Sequence, residues 1–161
     1  MKKIFLMAAI VFTVAANAQV TKVSLQASGL TCSMCSNSIN KALKTLDFVD
    51  RVDANVKTST FEIYFKQGKS IDFELLKKKV EGAGFSVANF VADVTFNNVL
   101  VKDNKPVIVG DKTFQFINVK DQLLTGSKSV RVVEKGFISA KEYKKNNTAS
   151  TLSKGIYRAT I

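Results

Sequence analysis

The sequence predicts an α+β chain in which a β-α-β-β-α-β unit is followed by a smaller, mainly β region. Three observations carry this. Over the first hundred residues the hydrophobic spacing switches between period 2 and period 3.6, as it does when strands and helices alternate. Beyond about residue 98 the segments become short and β-branched or aromatic, punctuated by Gly110, Gly126 and Gly136. The charge steps at the same place. Residues 19–97 carry ten Lys/Arg against eight Asp/Glu, a net +2, and residues 98–161 carry twelve against five, a net +7.

The chain opens on Lys2-Lys3, an apolar run from Ile4 to Ala16, and Ala16-Asn17-Ala18. Charged start, short apolar stretch and small-x-small site form the pattern of a secretory signal peptide (1–18), with cleavage expected after Ala18. The run is short of the ~20 apolar residues that span a bilayer. The expected destination is periplasmic or extracellular.

Val20 to Ala27 alternates, with Val23, Leu25 and Ala27 on one face and Lys22, Ser24 and Gln26 on the other, and predicts a half-buried strand. Ser28-Gly29 turns the chain. Cys35, Ile39, Ala42, Leu43 and Leu46 then follow the spacing of a helix stripe, with Ser33 as the expected N-cap. Asp47 to Asp50 ends that helix. Arg51–Val56 and Thr60–Lys66 read as two strands joined by a hairpin loop at Lys57-Thr58-Ser59. A second helix is predicted from about Ile71 to Glu81, with Phe73, Leu76 and Val80 inward and Gly82 or Gly84 as its stop. Phe85 to Phe96 returns as a strand, completing the split βαβ plan, an antiparallel sheet with both helices on one face.

In the basic region, Lys105–Val109, Thr113–Val119, Ser129–Lys135, Gly136–Ser139 and Gly155–Ile161 read as short strands, and Ala140–Lys145 as a helical turn. Such spacing predicts a small barrel or sandwich of OB-like kind over 98–161, with its boundary near Asn97 to Lys105. Phe114, Phe116 and Tyr157 are expected in its core rather than on a base-stacking face. The excess positive charge is that of a solvated surface or of one that meets an acidic protein or an anionic membrane; no nucleic acid is expected for an exported chain.

The chain holds two cysteines, Cys32 and Cys35, and no histidine. A pair with two residues between its members can hold a metal ion, shuttle electrons as a dithiol, or close as a structural disulfide. A bridge across so short a loop removes little entropy from the unfolded chain, which weakens the structural option. With Cys32 in the loop and Cys35 in the first helical turn, both sulfurs lie at the positive end of the helix dipole, where thiolates are favoured. A closed four-ligand zinc site cannot be assembled from this chain's Cys and His. Two thiolates instead suit a low-coordinate soft cation, Cu(I), or Hg(II) as its mimic.

Gly29-Leu30-Thr31-Cys32-Ser33-Met34-Cys35, followed by Ile39 and Ala42-Leu43, resembles the G-M-T-C-x-x-C…I…A-L signature of the heavy-metal-associated domain, and Gly84-Phe85 matches that family's Gly-aromatic pair. The resemblance covers Val20 to about Phe96. It implies a ferredoxin-like fold for residues 19–97, Cys32 and Cys35 as ligands of Cu(I), Hg(II) or another thiophilic ion, and Phe85 as a shield beside them. Leu30 stands where the family usually has Met, a volume-conserving change that should preserve the loop. Met34, between the two ligands, is expected to face solvent.

The implied function is an exported, non-enzymatic protein that sequesters the ion or passes it to a donor or acceptor carrying thiolate or thioether ligands. A thiol–disulfide oxidoreductase is the alternative from the same residues. Against it, no Trp precedes the motif, and the one proline, Pro106, does not sit opposite the cysteines as a thioredoxin-like fold requires. A third reading gives the basic region the leading role, docking while the cysteines sense metal.

Overall fold

In a computed structural model, which describes residues 19–30, 32–145 and 155–161, the chain forms one eight-stranded sheet with three helices. The expected signal peptide and the polar run after Lys145 lie outside the described residues. Among the described residues no helix is long and apolar enough to cross a membrane.

The first half follows the plan read from the sequence. Strand β1 (Gln19–Ser28) leads into α1 (Ser33–Lys44); β2 (Val49–Asn55) and β3 (Thr60–Phe65) form a hairpin; α2 (Phe73–Gly82) leads into β4 (Ser86–Val101). The strands lie in the order β2-β3-β1-β4, all antiparallel. The hairpin turn is fastened by Asn55, whose Oδ1 accepts from the backbone N–H groups of Lys57 and Thr58. Asp72 caps α2 by accepting from the Leu75 N–H at 3.1 Å, so this helix begins two residues later than its hydrophobic spacing implied.

The second half differs from the expected separate OB-like module. Strand β4 is sixteen residues long, and the position near Asn97 where the sequence changes texture lies inside it. Its first part pairs with β1, and most of its length pairs with β7 (Gln122–Val132) on the other side, from Val91↔Arg131 to Val101↔Gln122. Beyond β7 the sheet continues through β8 (Ile156–Thr160) and β6 (Lys112–Phe116) to β5 (Pro106–Val109) at the edge. The later strands therefore extend the first sheet and are not a barrel standing apart from it. The physical reason is that β4 still has an unpaired edge after meeting β1, and β7 satisfies those backbone groups. Gly136–Ser139, expected as a strand, contributes only the isolated bridge Lys135↔Ile138, while α3 (Ala140–Lys145) forms as the sequence predicts.

One hydrophobic core runs under both halves. Phe73, the first residue of α2, places its ring 4.8 Å from Phe90 on β4, 5.4 Å from Tyr157 on β8 and 6.2 Å from Phe114 on β6. Phe137 stands edge-on to Phe90 and Tyr157 at 5.1 and 5.6 Å. Such tilted and edge-on contacts are the favoured aromatic geometries. Phe114, Phe116 and Tyr157 are thus buried core residues, as the sequence predicts.

Candidate metal centre

The cysteine loop is built by the end of β1 and the start of α1. Gly29 takes φ +82°, a conformation that a side chain resists, and turns the chain out of the strand. Cys32 then serves as the N-cap, in place of the expected Ser33. Its backbone is extended (φ −144°, ψ 156°) and its Sγ accepts from the Cys35 N–H at 3.2 Å. The Cys32 carbonyl accepts from the Ser36 N–H, closing the first turn. No acidic residue sits in that turn, and Lys41 and Lys44 occupy the last one, so the charges along α1 complement its dipole and leave the N-terminus favourable to an anion.

Cys32 is exposed and Cys35 half-buried, because the buried stripe of α1 runs through Ser36, Ile39 and Leu43 and turns Cys35 to the margin of the core. Their Cα atoms are 5.4 Å apart and their sulfurs are joined as a disulfide. The structure therefore presents the oxidised pair. Both sulfurs converge on one point at the surface, the arrangement that two thiolates need to share a low-coordinate ion once the bond is reduced. That donor set fits a soft monovalent or linear cation. Among the described residues no group of three or more His, Cys, Asp or Glu side chains assembles, which leaves the cysteine pair as the one thiophilic centre found there.

The supporting residues lie where the sequence placed them. Leu30 is partly buried and packs against the core. Phe85 is also partly buried, and its Cδ1 lies 3.9 Å from where a Cβ on Gly29 would stand, so the ring backs onto the start of the cysteine loop. It is set there by the end of α2, where the Phe85 N–H donates to Val80 and Gly84 adopts φ +88°. Met34 is 79% exposed. The hydroxyl of Ser28 meets that of Ser86 at 2.6 Å, closing the ladder between β1 and β4 beside the loop. Sequence reasoning read strands and a helical turn over 133–145 but did not foresee that residues of this segment share a cleft with Ser28 and Ser86; that neighbourhood depends on the β4–β7 register, for which the sequence carries no local signal.

A β-α-β-β-α-β unit with a paired-cysteine loop at the head of its first helix defines a class of small thiol-bearing modules. Residues 24–86 match the heavy-metal-associated domain. A probable copper-exporting P-type ATPase of Archaeoglobus fulgidus is 38% identical over 72 residues, which cover 45% of this chain and 9% of the ATPase. The chain thus spans less than a tenth of the length of that relative. Among solved structures, the CopZ metallochaperone is 22% identical (TM-score 0.39, covering 42% of this chain and all of that one). Oxidised MerP of Ralstonia metallidurans CH34 is 30% identical (TM-score 0.37, 44% and 96%). The yeast copper transporter domain CCC2A is 28% identical (TM-score 0.37, 42% and 90%).

Proposed function

We propose that this chain is an exported carrier of a soft metal ion, Cu(I) in the first place, which Cys32 and Cys35 hold between their sulfurs and release by ligand exchange. The observation that carries the reading is the convergence of two sulfurs at an exposed helix N-terminus with, among the described residues, no further metal ligand gathered around them. An under-coordinated ion there is open to an incoming thiolate or thioether, so transfer to a partner with such ligands needs no catalytic group. The copper-exporting character of the ATPase relative accords with Cu(I), and Hg(II) fits the same donors. Export rests on the signal-peptide pattern of residues 1–18, and the basic second half is the surface proposed to meet an acidic protein or anionic membrane.

The test is native mass spectrometry of the reduced, metal-free chain challenged anaerobically with Cu(I), Hg(II) and Zn(II). One Cu(I) per chain is expected, with none retained by the Cys32→Ser, Cys35→Ser double variant. Stoichiometric, tight Cu(I) binding by that variant would sink the assignment. Circular dichroism should show both forms folded, since closing so short a loop stabilises by roughly 2 kcal/mol or less.

The same two thiols, close enough to pair, support a second reading, thiol–disulfide exchange. In that reaction a partner dithiol is oxidised to its disulfide while Cys32–Cys35 takes up two electrons and two protons. Run in the reverse direction, the chain would pass two electrons to an insulin disulfide and be re-reduced by added dithiothreitol; catalysis of that reduction over dithiothreitol alone, with no stoichiometric Cu(I) uptake, would select this reading over the first.

A further inference from the structure

Strand β7 runs antiparallel to β4 and its last pair with that strand is Arg131 opposite Val91, so the chain leaving Val132 continues in the direction in which β4 begins, at the end of the sheet that carries the cysteine loop. Two bidentate ion pairs fix this arm, residues 133–145. Arg131 holds both Glu142 oxygens at 2.6 and 2.8 Å while its Nε donates to Asn89 on β4, which ties α3 to the sheet. Arg158 on β8 holds Glu134 at 2.9 and 2.8 Å. Lys77 of α2 lies 5.0 Å from the Phe137 ring centroid, so the arm is seated on that helix as well. The arm is therefore preorganised by the fold.

Between it and the ends of β1, β4 and α2 lies a cleft of about 690 Å³, within the roughly 300–1,000 Å³ of small-molecule sites. Buried Val87 and Ile138 supply an apolar floor, and Ser28 and Ser86, whose hydroxyls meet at 2.6 Å, also line the cleft. Three charged residues line it: Lys135 and Lys144 from the arm, and Glu81 from α2. Among the described residues none of the three forms an ion pair. Ser28 precedes Cys32 by four residues, a separation that extended chain spans in at most about 14 Å.

We propose that this cleft binds a small zwitterionic peptide thiol carrying two carboxylates and one ammonium group. The complement is one to one. Two ammonium side chains meet the two carboxylates, the Glu81 carboxylate meets the ammonium, and the apolar floor takes the ligand backbone. The use of the ligand's sulfur as an external soft ligand beside Cys32 and Cys35 rests on the carrier reading; binding in the cleft does not.

The test separates the two. S-methylglutathione keeps both carboxylates and the ammonium but has no free thiol, so it reports the cleft without touching the cysteine chemistry. It is titrated into the full, reduced, metal-free chain while isotope-labelled backbone amides are followed by NMR. Saturable shifts are expected at Val87, Gly136, Ser139 and Tyr143, equally in the Cys32→Ser, Cys35→Ser variant. Lys135→Glu with Lys144→Glu should lower the affinity about tenfold or more, each reversal removing a charge-assisted contact. Should that variant lose its native spectrum, Lys135→Gln with Lys144→Gln reads the same contacts with less perturbation. Absence of saturable shifts up to about 10 mM ligand, or undiminished affinity in a folded lysine variant, overturns the proposal. So does equal affinity for glutarate, which lacks the ammonium, because Glu81 would then play no part. A chain that binds S-methylglutathione in this way yet takes up no Cu(I) keeps the cleft and loses the carrier.

Discussion

Replacing Phe73 with Ala should loosen both halves of the protein at once. The side chain is fully buried and stands between rings on β4, β6 and β8, with the Lys112 ammonium 5.0 Å from its centroid. Truncating a buried Phe costs about 3–5 kcal/mol, and the cost is higher where the walls cannot collapse into the void. Here the walls are other aromatic rings, themselves locked by Phe137 and Phe116, so a loss of about 4 kcal/mol is expected. For a chain of this size each kcal/mol lowers Tm by roughly 2–4 °C, which gives a fall of about 8–16 °C. Urea and thermal unfolding, followed by far- and near-ultraviolet circular dichroism, measure it. Both probes should trace a single transition in the parent and the variant, because the ring belongs to one shared core. A loss below about 1.5 kcal/mol, or a transition that splits with one part unmoved, would refute the reasoning. Phe73→Leu, which refills part of the space, should recover roughly half of the loss.

Two smaller perturbations test other links. Asp72→Ala removes the N-cap of α2 and should cost about 1 kcal/mol in the same unfolding assay, with Asp72→Asn close to the parent. Glu134 tests the pairing that holds the arm. Burial raises its carboxyl pKa, but the bonds from Arg158 and the Lys135 N–H outweigh burial and leave it below its ordinary 4.5. A group with a depressed folded pKa contributes stability above its unfolded value, and that contribution disappears as pH falls through the folded value. Tm should therefore drop as pH is lowered past 4.5, and Glu134→Gln, less stable at neutral pH, should show a shallower drop.

The first half was legible because its signals are local. Val23, Leu25 and Ala27 alternate, Ile39 and Leu43 keep helical spacing, and Lys57-Thr58-Ser59 separates two strand-like runs as a hairpin loop. The cysteine site was legible for the same reason, since its two sulfurs are three residues apart. The second half was not. Gln122 to Leu124 pairs with Val99 to Val101, and Thr113 to Phe116 pairs in parallel with Ile156 to Ala159, contacts that no local pattern encodes. The sixteen residues of β4 also hide a change of partners: the strand pairs with β1 and β7 together over its middle and with β7 alone at its end. Hydrophobic alternation reports that one face is buried and is silent on which strand lies alongside. The cleft beside the cysteines arises from that register, which is why Lys135 and Lys144 looked like ordinary surface charge.

The long fourth strand also sets an order of events on a chain that is made from one end. When residue 101 has been synthesised, every element needed to pair β1, β2, β3 and β4 exists, but the far edge of β4 waits for Gln122 to Arg131, and Phe73 waits for Tyr157. Until then the growing chain presents a bare strand edge and an uncovered aromatic ring, the two features that most readily recruit a wrong neighbour. Residues 155–161 are therefore not a trailing end: β8 lies between β7 and β6, and the sheet closes over its core only when they arrive.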